Sequence, residues 1–317
     1  MRTVFRWGQS AYETDADLAL EQAAARALGL DWRSAPESES PPPLDGVGAL
    51  VVTSRVRVDA AALATFTGDL VLTTTSGWDH IDVAACRARG VTVARCPLAR
   101  RDAVVESAVG GIVGLFRRQP AFDRAARDGR WARAALPGLD PWTVRGATVL
   151  VVGLGVIGAR CAEVLHGLGA TVWGVDPAGV PPFVTAVPLD RGLEGAHAVT
   201  LHCALDPSTD GLLSAARIAR MRPGAVLVNT ARGRLVDADA AVEAVRAGAL
   251  RGAALDVFPR EPWPALADAA AVDGVWVTPH SAGYSRGLGA RVAREVADAL
   301  AAWARGAPLP HPVSRVG

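Results

Sequence analysis

The hydrophobic positions form short continuous runs that alternate with segments of helical periodicity along most of the chain. In the first third, strands are predicted in the runs TVFRW, GALVVTS and DLVLTTT, and a helix ending at Gly29 is predicted in DLALEQAAARALG. A second helix is predicted in DAAALATF, with Asp59 as its N-cap. Strands that alternate with helices in this way predict a parallel sheet with crossover helices.

A second alternating series follows a long apolar helix predicted in AVVESAVGGIVGLFRR. Its strands are predicted in the runs TVLVV, TVWGVD, AVTLHC, AVLVNT, GAALDVF and VWVTPH. These runs are apolar throughout, as is typical of strands covered by helices on both faces. After Gly283, the residues Leu288, Val292, Val296 and Leu300 recur at helical spacing and predict an amphipathic terminal helix. The sequence therefore predicts an α/β protein with two parallel sheets.

The segment GLGVIG begins directly after the first strand of the second series. Gly153 allows a tight turn, Gly155 lets the backbone approach a pyrophosphate, and Gly158 lets the following helix pack against the strand. Asp176 ends the next strand, 18 residues after Gly158, where a carboxylate can accept hydrogen bonds from ribose hydroxyls. No arginine follows before Arg191 to hold a 2′-phosphate, which favours NAD over NADP. A purely structural glycine turn and a site for another adenosine cofactor remain alternatives.

Three polar residues follow different strands of the second series. Arg232 follows AVLVNT, Glu261 lies after GAALDVF, and His280 ends VWVTPH. Ligands of parallel sheets gather at the carboxyl ends of the strands, so these side chains are expected to contribute to one site. Taken singly, a surface arginine, a surface glutamate and a turn histidine are the alternatives. His202 also follows a strand, and we expect it to be structural.

Composition excludes several classes of function. The net charge is +1, which gives no support for a nucleic-acid or membrane partner held by bulk electrostatics. All 33 basic residues are arginine, so no Schiff-base, general-base or phosphate-loop lysine can exist. The four cysteines form no CxxC pair, so no metal site or disulfide framework is predicted. The first residues contain no long apolar stretch, and a cytoplasmic location is expected.

Motifs spread over nearly the whole chain resemble those of the D-isomer-specific 2-hydroxyacid dehydrogenases. They are SGWDHIDVAACRARGVTV, GLGVIG, LHCALDPSTDGLL, VNTARGRLVD, ALDVFPREP and TPHSAG. The resemblance implies an α/β fold of two Rossmann-like parallel-sheet domains, with a coenzyme domain inserted into a discontinuous substrate domain. The substrate domain would contain residues 1–98 and 284–317, and the NAD-binding domain residues 99–283.

The resemblance also implies roles for the residues above. Arg232 would hold the substrate carboxylate and carbonyl oxygen through its planar fork. His280 would be the acid/base, and Glu261 would accept its ring hydrogen bond, which favours the imidazolium form. A substrate-binding loop is implied at Ser76, Gly77 and Trp78. The implied NAD contacts are Gly153, Gly155, Val156, Ile157, Gly158, Asp176, Pro207, Thr209, Thr230, Ala231, Asp256, His280 and Gly283.

The implied activity is NAD-dependent transfer of hydride between the nicotinamide and a D-2-hydroxy or 2-keto acid, with glyoxylate or hydroxypyruvate as the first expectation. The implied assembly is a homodimer with no nucleic-acid or membrane partner. Arg100 and Arg101 are expected to be solvated hinge residues, and the alternative is that they hold a second anionic group of the substrate. The alternative function is a non-catalytic NAD(H)-sensing regulator of the same fold.

Overall fold

Two parallel sheets organise the chain, and the computed structural model describes residues 2–10, 12–38 and 40–313. One unit consists of residues 1–100 and 284–317, and the other of residues 101–283. The first boundary lies two residues after the one predicted from the sequence. None of the helices in the described ranges combines the length and apolar character that a membrane-spanning segment needs.

The strands are short and each is parallel to its neighbours. The order is β2-β1-β3-β4-β5 in the first unit and β12-β11-β10-β9-β6-β7-β8 in the second. The strands are β1 (Thr3–Trp7), β2 (Asp31–Ala35), β3 (Val47–Val52), β4 (Leu70–Thr73), β5 (Thr92–Arg95), β6 (Thr148–Val152), β7 (Thr171–Val175), β8 (Thr185–Ala186), β9 (Ala198–Leu201), β10 (Val226–Asn229), β11 (Gly252–Leu255) and β12 (Val275–Val277). The edge strands β2 and β8 were not predicted, because they are polar or very short.

The helices cover both faces of each sheet. They are α1 (Asp15–Ala27), α2 (Val83–Ala88), α3 (Leu98–Phe116), α4 (Gln119–Arg127), α5 (Leu136–Leu139), α6 (Val156–Gly167), α7 (Leu189–Gly195), α8 (Ala215–Ala219), α9 (Ala238–Arg246), α10 (Leu266–Ala270) and α11 (Leu288–Ala304). Short 3-10 helices also occur at Ala132–Ala135 and Gly233–Leu235.

Alternation along each strand explains why both faces of the sheets are apolar. In β3, Ala49 and Val51 pack into the core that α11 covers, while Leu50 and Val52 pack into the core on the opposite face. Successive side chains of a strand point to opposite faces, so a strand buried on both sides is apolar at every position. The second sheet likewise separates two core clusters, which gives each unit its own interior.

The helix predicted at residues 59–66 is absent, and that prediction was wrong. Asp59 Oδ1 accepts hydrogen bonds from the N–H groups of Ala61 and Ala62, both at 3.0 Å, as a cap would. Only one helical turn follows, from Leu63 N to Asp59 O at 3.0 Å, and Phe66 N then donates to Leu63 O at 3.1 Å. Leu63 and Phe66, three residues apart, are both buried in the core. The segment therefore continues with a three-residue turn and does not continue as an α-helix.

Candidate active site

The register of the second sheet brings the predicted motifs to one level. Val175 pairs with Val152, Val152 with Leu201, Leu201 with Asn229, Asn229 with Leu255, and Leu255 with Val277. The next residue of each strand therefore lies in a row at the carboxyl edge, in the order Asp176, Gly153, His202, Thr230, Asp256 and Thr278. The first strand of the series, β6, lies between β7 and β9, so the strand order reverses beside it. Ligands of open α/β sheets bind at this kind of reversal.

The glycine loop has the geometry that a pyrophosphate requires. Gly153 has a φ of +86°, and a Cβ there would lie 2.4 Å from the backbone nitrogen of Cys203. A Cβ on Gly158 would lie 1.8 Å from the carbonyl oxygen of Gly153, so only glycine lets α6 begin this close to β6. At Gly155 a Cβ would meet nothing within 4 Å. That side of the loop is open for a ligand, directly at the N-terminus of α6, where N–H groups attract anions.

Asp176 lies beside this loop and is already part of its structure. Its Oδ2 accepts a hydrogen bond from Leu154 N, and its Oδ1 accepts one from Ala178 N, both at 2.7 Å. Each carboxylate oxygen has capacity for a second hydrogen bond, so Asp176 can still accept from ribose hydroxyls. The glycines, the helix N-terminus and Asp176 together fit the pyrophosphate and adenosine ribose of NAD.

His202 packs beneath the loop as a neutral, structural residue. Burial lowers the pKa of His202 to about 4, and its Nε2 lies 3.0 Å from Thr200 Oγ1. A Cβ on Gly158 would come within 3.1 Å of the His202 Cβ, so this side chain packs closely under the glycine. An imidazole that stays uncharged at neutral pH is suited to this interior position and not to proton exchange with a substrate.

The turn after β10 orients Arg232. Asn229 accepts a hydrogen bond from Ala231 N at 3.1 Å and donates one to Arg232 O at 2.9 Å, which closes the turn. A Cβ on Gly233 would lie 1.9 Å from the Phe258 carbonyl carbon, so this glycine allows the turn to contact the segment that leads to Glu261. The Arg232 guanidinium donates to Ala231 O at 2.8 Å. The roles of Asn229 and Gly233 were not predicted, although both belong to the VNTARG motif.

Glu261 and His280 form a direct pair. His280 Nδ1 lies 2.7 Å from Glu261 Oε2, and the other carboxylate oxygen accepts a hydrogen bond from Phe258 N at 3.0 Å. The His280 side chain is 51% exposed, so its ring remains accessible. A carboxylate at Nδ1 fixes the tautomer with the proton on that nitrogen and leaves Nε2 for exchange with a ligand. The pair can therefore act as an oriented general acid or base.

Asp256 accepts several hydrogen bonds from the loop that carries His280. The sequence did not predict this structural role of Asp256. Its Oδ1 accepts hydrogen bonds from Thr278 Oγ1 at 2.6 Å and from Ser281 N at 2.8 Å, and its Oδ2 accepts one from Ala282 N at 2.9 Å. His280 itself has a φ of +55° and donates its N–H to Asp256 O at 2.7 Å. A left-handed conformation is unusual for histidine and persists where its surroundings fix it. Oδ2 keeps capacity for one more hydrogen bond.

The other residues implied in cofactor binding border the same edge of this unit. Thr230 and Ala231 belong to the turn after β10, and the Thr230 hydroxyl is buried without a partner among the described residues. Pro207 and Thr209 lie in the loop after β9, where Thr209 Oγ1 donates to Ala204 O at 2.7 Å. Gly283 is the last residue of the unit. Val156 and Ile157 form the first turn of α6.

The implied substrate loop belongs to the first unit. Ser76, Gly77 and Trp78 follow β4 and are all partly exposed. Arg100 lies nearby but is buried, with Nη1 donating to Thr74 O at 2.5 Å and Nη2 to Tyr12 O–H at 2.6 Å. The prediction that Arg100 is a solvated residue was therefore wrong. Arg101 is paired with Asp102 at 3.0 Å.

Potential metal ligands do not gather here. Among residues 2–10, 12–38 and 40–313, no three His, Cys, Asp or Glu side chains lie close enough together to hold a metal ion. Three of the four cysteines are buried, and burial raises the pKa of the Cys161 thiol to about 12. The chemistry that this edge offers is therefore that of the His280–Glu261 pair and the Arg232 guanidinium, beside a dinucleotide loop.

Known proteins share both this sequence pattern and this fold. Residues 109–282 match the family model described as D-isomer specific 2-hydroxyacid dehydrogenase, NAD binding domain. A D-3-phosphoglycerate dehydrogenase of Archaeoglobus fulgidus is 30% identical over 84% of this chain and 51% of its own length. An (S)-sulfolactate dehydrogenase of Chromohalobacter salexigens is 37% identical over 78% of this chain and 81% of its own. The chain spans about half the length of the phosphoglycerate dehydrogenases that it matches.

A solved structure shows the same fold over almost the whole length. The D-lactate dehydrogenase of Aquifex aeolicus, complexed with NAD and lactic acid, has a TM-score of 0.81 at 23% identity and covers 96% of both chains. The predicted fold of two parallel-sheet α/β domains is thereby confirmed. NAD is confirmed as the cofactor by the match of residues 109–282 to an NAD-binding domain. Since that match covers more than half of the chain, the protein belongs to the D-isomer-specific 2-hydroxyacid dehydrogenase family.

Proposed function

We propose that the protein is an NAD-dependent D-2-hydroxyacid dehydrogenase that interconverts a D-2-hydroxy acid and the corresponding 2-keto acid. The observation that carries this proposal is the 2.7 Å contact between His280 Nδ1 and Glu261 Oε2. This acid/base pair lies in the same unit as the dinucleotide loop, and Glu261 and His280 follow β11 and β12, two adjacent strands of the sheet that also contains β6. The names of the relatives, D-3-phosphoglycerate dehydrogenase and (S)-sulfolactate dehydrogenase, support this class of reaction.

The roles of the residues follow from their chemistry. The Glu261 carboxylate accepts a hydrogen bond from His280 Nδ1–H, so in the imidazolium form His280 Nε2–H can donate its proton to the carbonyl oxygen of a 2-keto acid during reduction, which leaves neutral imidazole. In oxidation the same nitrogen takes the proton of the hydroxyl group. The planar guanidinium of Arg232 holds the carboxylate and the carbonyl oxygen of the acid through its fork of N–H groups and polarises the carbonyl. Bound NAD supplies or accepts the hydride. The N–H groups of Ser76, Gly77 and Trp78 bind the substrate carboxylate.

The substrate class proposed first is a small acid such as glyoxylate or hydroxypyruvate. Residues 1–100 and 284–317 are proposed as the substrate domain. Residues 101–283, which contain the dinucleotide loop, are proposed as the coenzyme domain.

We also propose a homodimer and a cytoplasmic location. Trp131 is 87% exposed in the segment that follows α4, and so large an exposed aromatic side chain suits a contact between subunits. Sedimentation of the wild type and of Trp131→Ser tests this, since a monomeric wild type would contradict it. The unpaired buried thiols favour a reducing compartment such as the cytoplasm.

NADH consumption with a panel of 2-keto acids tests the activity. His280→Ala is expected to lower kcat/KM by about 10²- to 10⁴-fold, the usual contribution of a general acid. Glu261→Gln, which keeps the size but loses the charge at Nδ1, is expected to lower it less. His166→Ala is the matched control, because this exposed histidine lies near the far end of α6, where its ring packs at a tilt against Phe183.

Two outcomes would contradict the proposal. The enzyme assignment fails if NADH binds tightly while no 2-keto acid is reduced, which is the behaviour of a sensing protein. The assignment of His280 fails if His280→Ala and His166→Ala have equal activity.

A further inference from the structure

The loop after β4 uses its backbone carbonyls and N–H groups unequally. The five successive carbonyl oxygens of residues 74–78 all accept hydrogen bonds within the same unit. The donors are, in order, Arg100 Nη1 (2.5 Å), Cys96 N (3.2 Å), Arg95 Nη1 (3.0 Å), Thr75 Oγ1 (2.8 Å) and Ile81 N (2.8 Å). By contrast, the N–H groups of Ser76, Gly77 and Trp78 have no acceptor in the described part of the chain.

Peptide geometry connects these two observations. In a trans peptide the carbonyl oxygen and the following N–H point in opposite directions. The bond from Arg95 to Ser76 O therefore directs Gly77 N–H away from Arg95. The bond from Thr75 Oγ1 to Gly77 O likewise directs Trp78 N–H away from the Thr75 side chain. Successive N–H groups that point away from the protein interior form a site for an anion such as a carboxylate.

Arg95 contacts the loop at two points. It is the last residue of β5, beside Thr73 of β4, and its guanidinium carbon lies 4.9 Å from the centre of the Trp78 ring while Nη1 donates to Ser76 O. A guanidinium over an indole face is attracted to the ring as a cation. Arg95 Nε is buried and has no partner among the described residues. Burial lowers the pKa of Arg95 and Glu295 partly opposes this, yet the guanidinium remains charged at neutral pH.

We infer that Arg95 is a positioning residue for substrate binding: it orients the 76–77 peptide and the Trp78 ring so that the loop presents its N–H groups to the substrate carboxylate. This inference rests on the proposed function and adds a residue that acts through the loop and does not contact the acid. Because every 2-keto acid has that carboxylate, loss of Arg95 affects all of them to a similar extent.

Steady-state kinetics with glyoxylate, pyruvate and 2-oxoglutarate tests the inference. Arg95→Met keeps the length of the side chain but removes both the donor and the charge, and it is expected to raise KM about tenfold for each acid, as loss of a charged hydrogen bond does. The expected kcat stays within about twofold, since His280 and Glu261 are unchanged. Arg95→Lys, which keeps a charge and a donor, is expected to recover most of the affinity.

Arg89→Met is the matched control. Arg89 also donates its guanidinium to a backbone carbonyl of this unit, Phe66 O at 3.0 Å, but away from the loop. Its KM values are expected to equal those of the wild type. If Arg95→Met does not fold, Arg95→Gln keeps a polar group at the half-buried position, removes the charge and shortens the side chain; unchanged KM values in this variant would likewise overturn the inference.

The outcomes separate this inference from the proposed function. Wild-type protein that reduces none of the acids contradicts the proposed function, and calorimetric titration of oxalate into the NADH-loaded wild type and Arg95→Met then tests the loop without turnover. Unchanged KM, or unchanged oxalate affinity, in Arg95→Met overturns the inference alone. An increase in KM confined to 2-oxoglutarate also overturns it, because it would show direct contact with the second carboxylate.

Discussion

We expect the Glu21→Gln variant to become increasingly more stable than the wild type as the pH rises from 5 to 8. Glu21 and Glu13 share one guanidinium: Arg6 Nε donates to Glu21 Oε2 and Arg6 Nη2 to Glu13 Oε2, both at 2.9 Å. All three side chains are at most 2% exposed. Burial raises the pKa of Glu21 from 4.5 to about 7, because the attraction of Arg6 lowers it less and the charge of Glu13 raises it further.

The sign and size follow from linkage between protonation and folding. A carboxyl group that binds its proton more tightly when folded stabilises the fold fully below pH 4.5, and loses this contribution as the pH rises through about 7. At about 1.36 kcal/mol per pKa unit, the loss between pH 5 and pH 8 is about 2 to 3 kcal/mol. Glutamine resembles the protonated form of Glu21 and can still accept a hydrogen bond from Arg6. The stability of the variant therefore does not fall in this way as the pH rises.

Hydrogen exchange measured by mass spectrometry on peptides of β1 and α1 reports the stability of this unit separately from the other. The free energy of opening in Glu21→Gln, relative to the wild type, should rise by about 2 to 3 kcal/mol between pH 5 and pH 8. Glu37→Gln removes an exposed pair with Arg55 in the same unit and should show no comparable trend. A difference for Glu21→Gln that is constant with pH, or that shifts toward the wild type, would refute the reasoning.

Two further substitutions test the second unit. Gly158→Ala would place a Cβ 1.8 Å from Gly153 O and is expected to lower the melting temperature by several degrees and to abolish NADH binding. A Cβ at Gly167 of the same helix would meet nothing within 4 Å, so Gly167→Ala should retain the wild-type melting temperature and NADH binding. Equal fluorescence titrations of the two variants with NADH would contradict this. Asp256→Asn would place an amide donor against the N–H groups of the His280 loop and is expected to lower kcat about 10- to 100-fold in the NADH assay, so wild-type kcat would show that the loop does not depend on the carboxylate.

The sequence predicts most of the second unit because its signals agree. Each of the runs that precede Gly153, Asp176, Thr230, Asp256 and Thr278 is predominantly apolar, and each does form a strand of the sheet. Parallel pairing then brings the residues after these strands to one edge, without any knowledge of side-chain contacts. Strand placement puts Glu261 and His280 after adjacent strands, and the pairing itself was implied by the resemblance of the segments FPREP and TPHSAG to the motifs of the family.

What the sequence does not show are conformations and contacts fixed by tertiary packing. The left-handed backbone of His280 and the hydrogen bonds of Asp256 depend on the loop that joins them, and no local pattern predicts either. The segment after Asp59 has helical composition, yet burial of Leu63 and Phe66 decides its path. Arg95 has the sequence appearance of any other arginine, and its bond to Ser76 O arises only when β4 and β5 pair.

The continuity of residues 101–283 has a practical consequence for building new enzymes. This unit is one uninterrupted stretch of chain, encloses two hydrophobic clusters, and contains the dinucleotide loop together with the His280–Glu261 pair. A segment with its own interior can fold when excised. Residues 101–283 could therefore be expressed alone as an NAD-binding domain that retains the His280–Glu261 pair. The same segment could be inserted into a loop of another protein that supplies the substrate-binding surface.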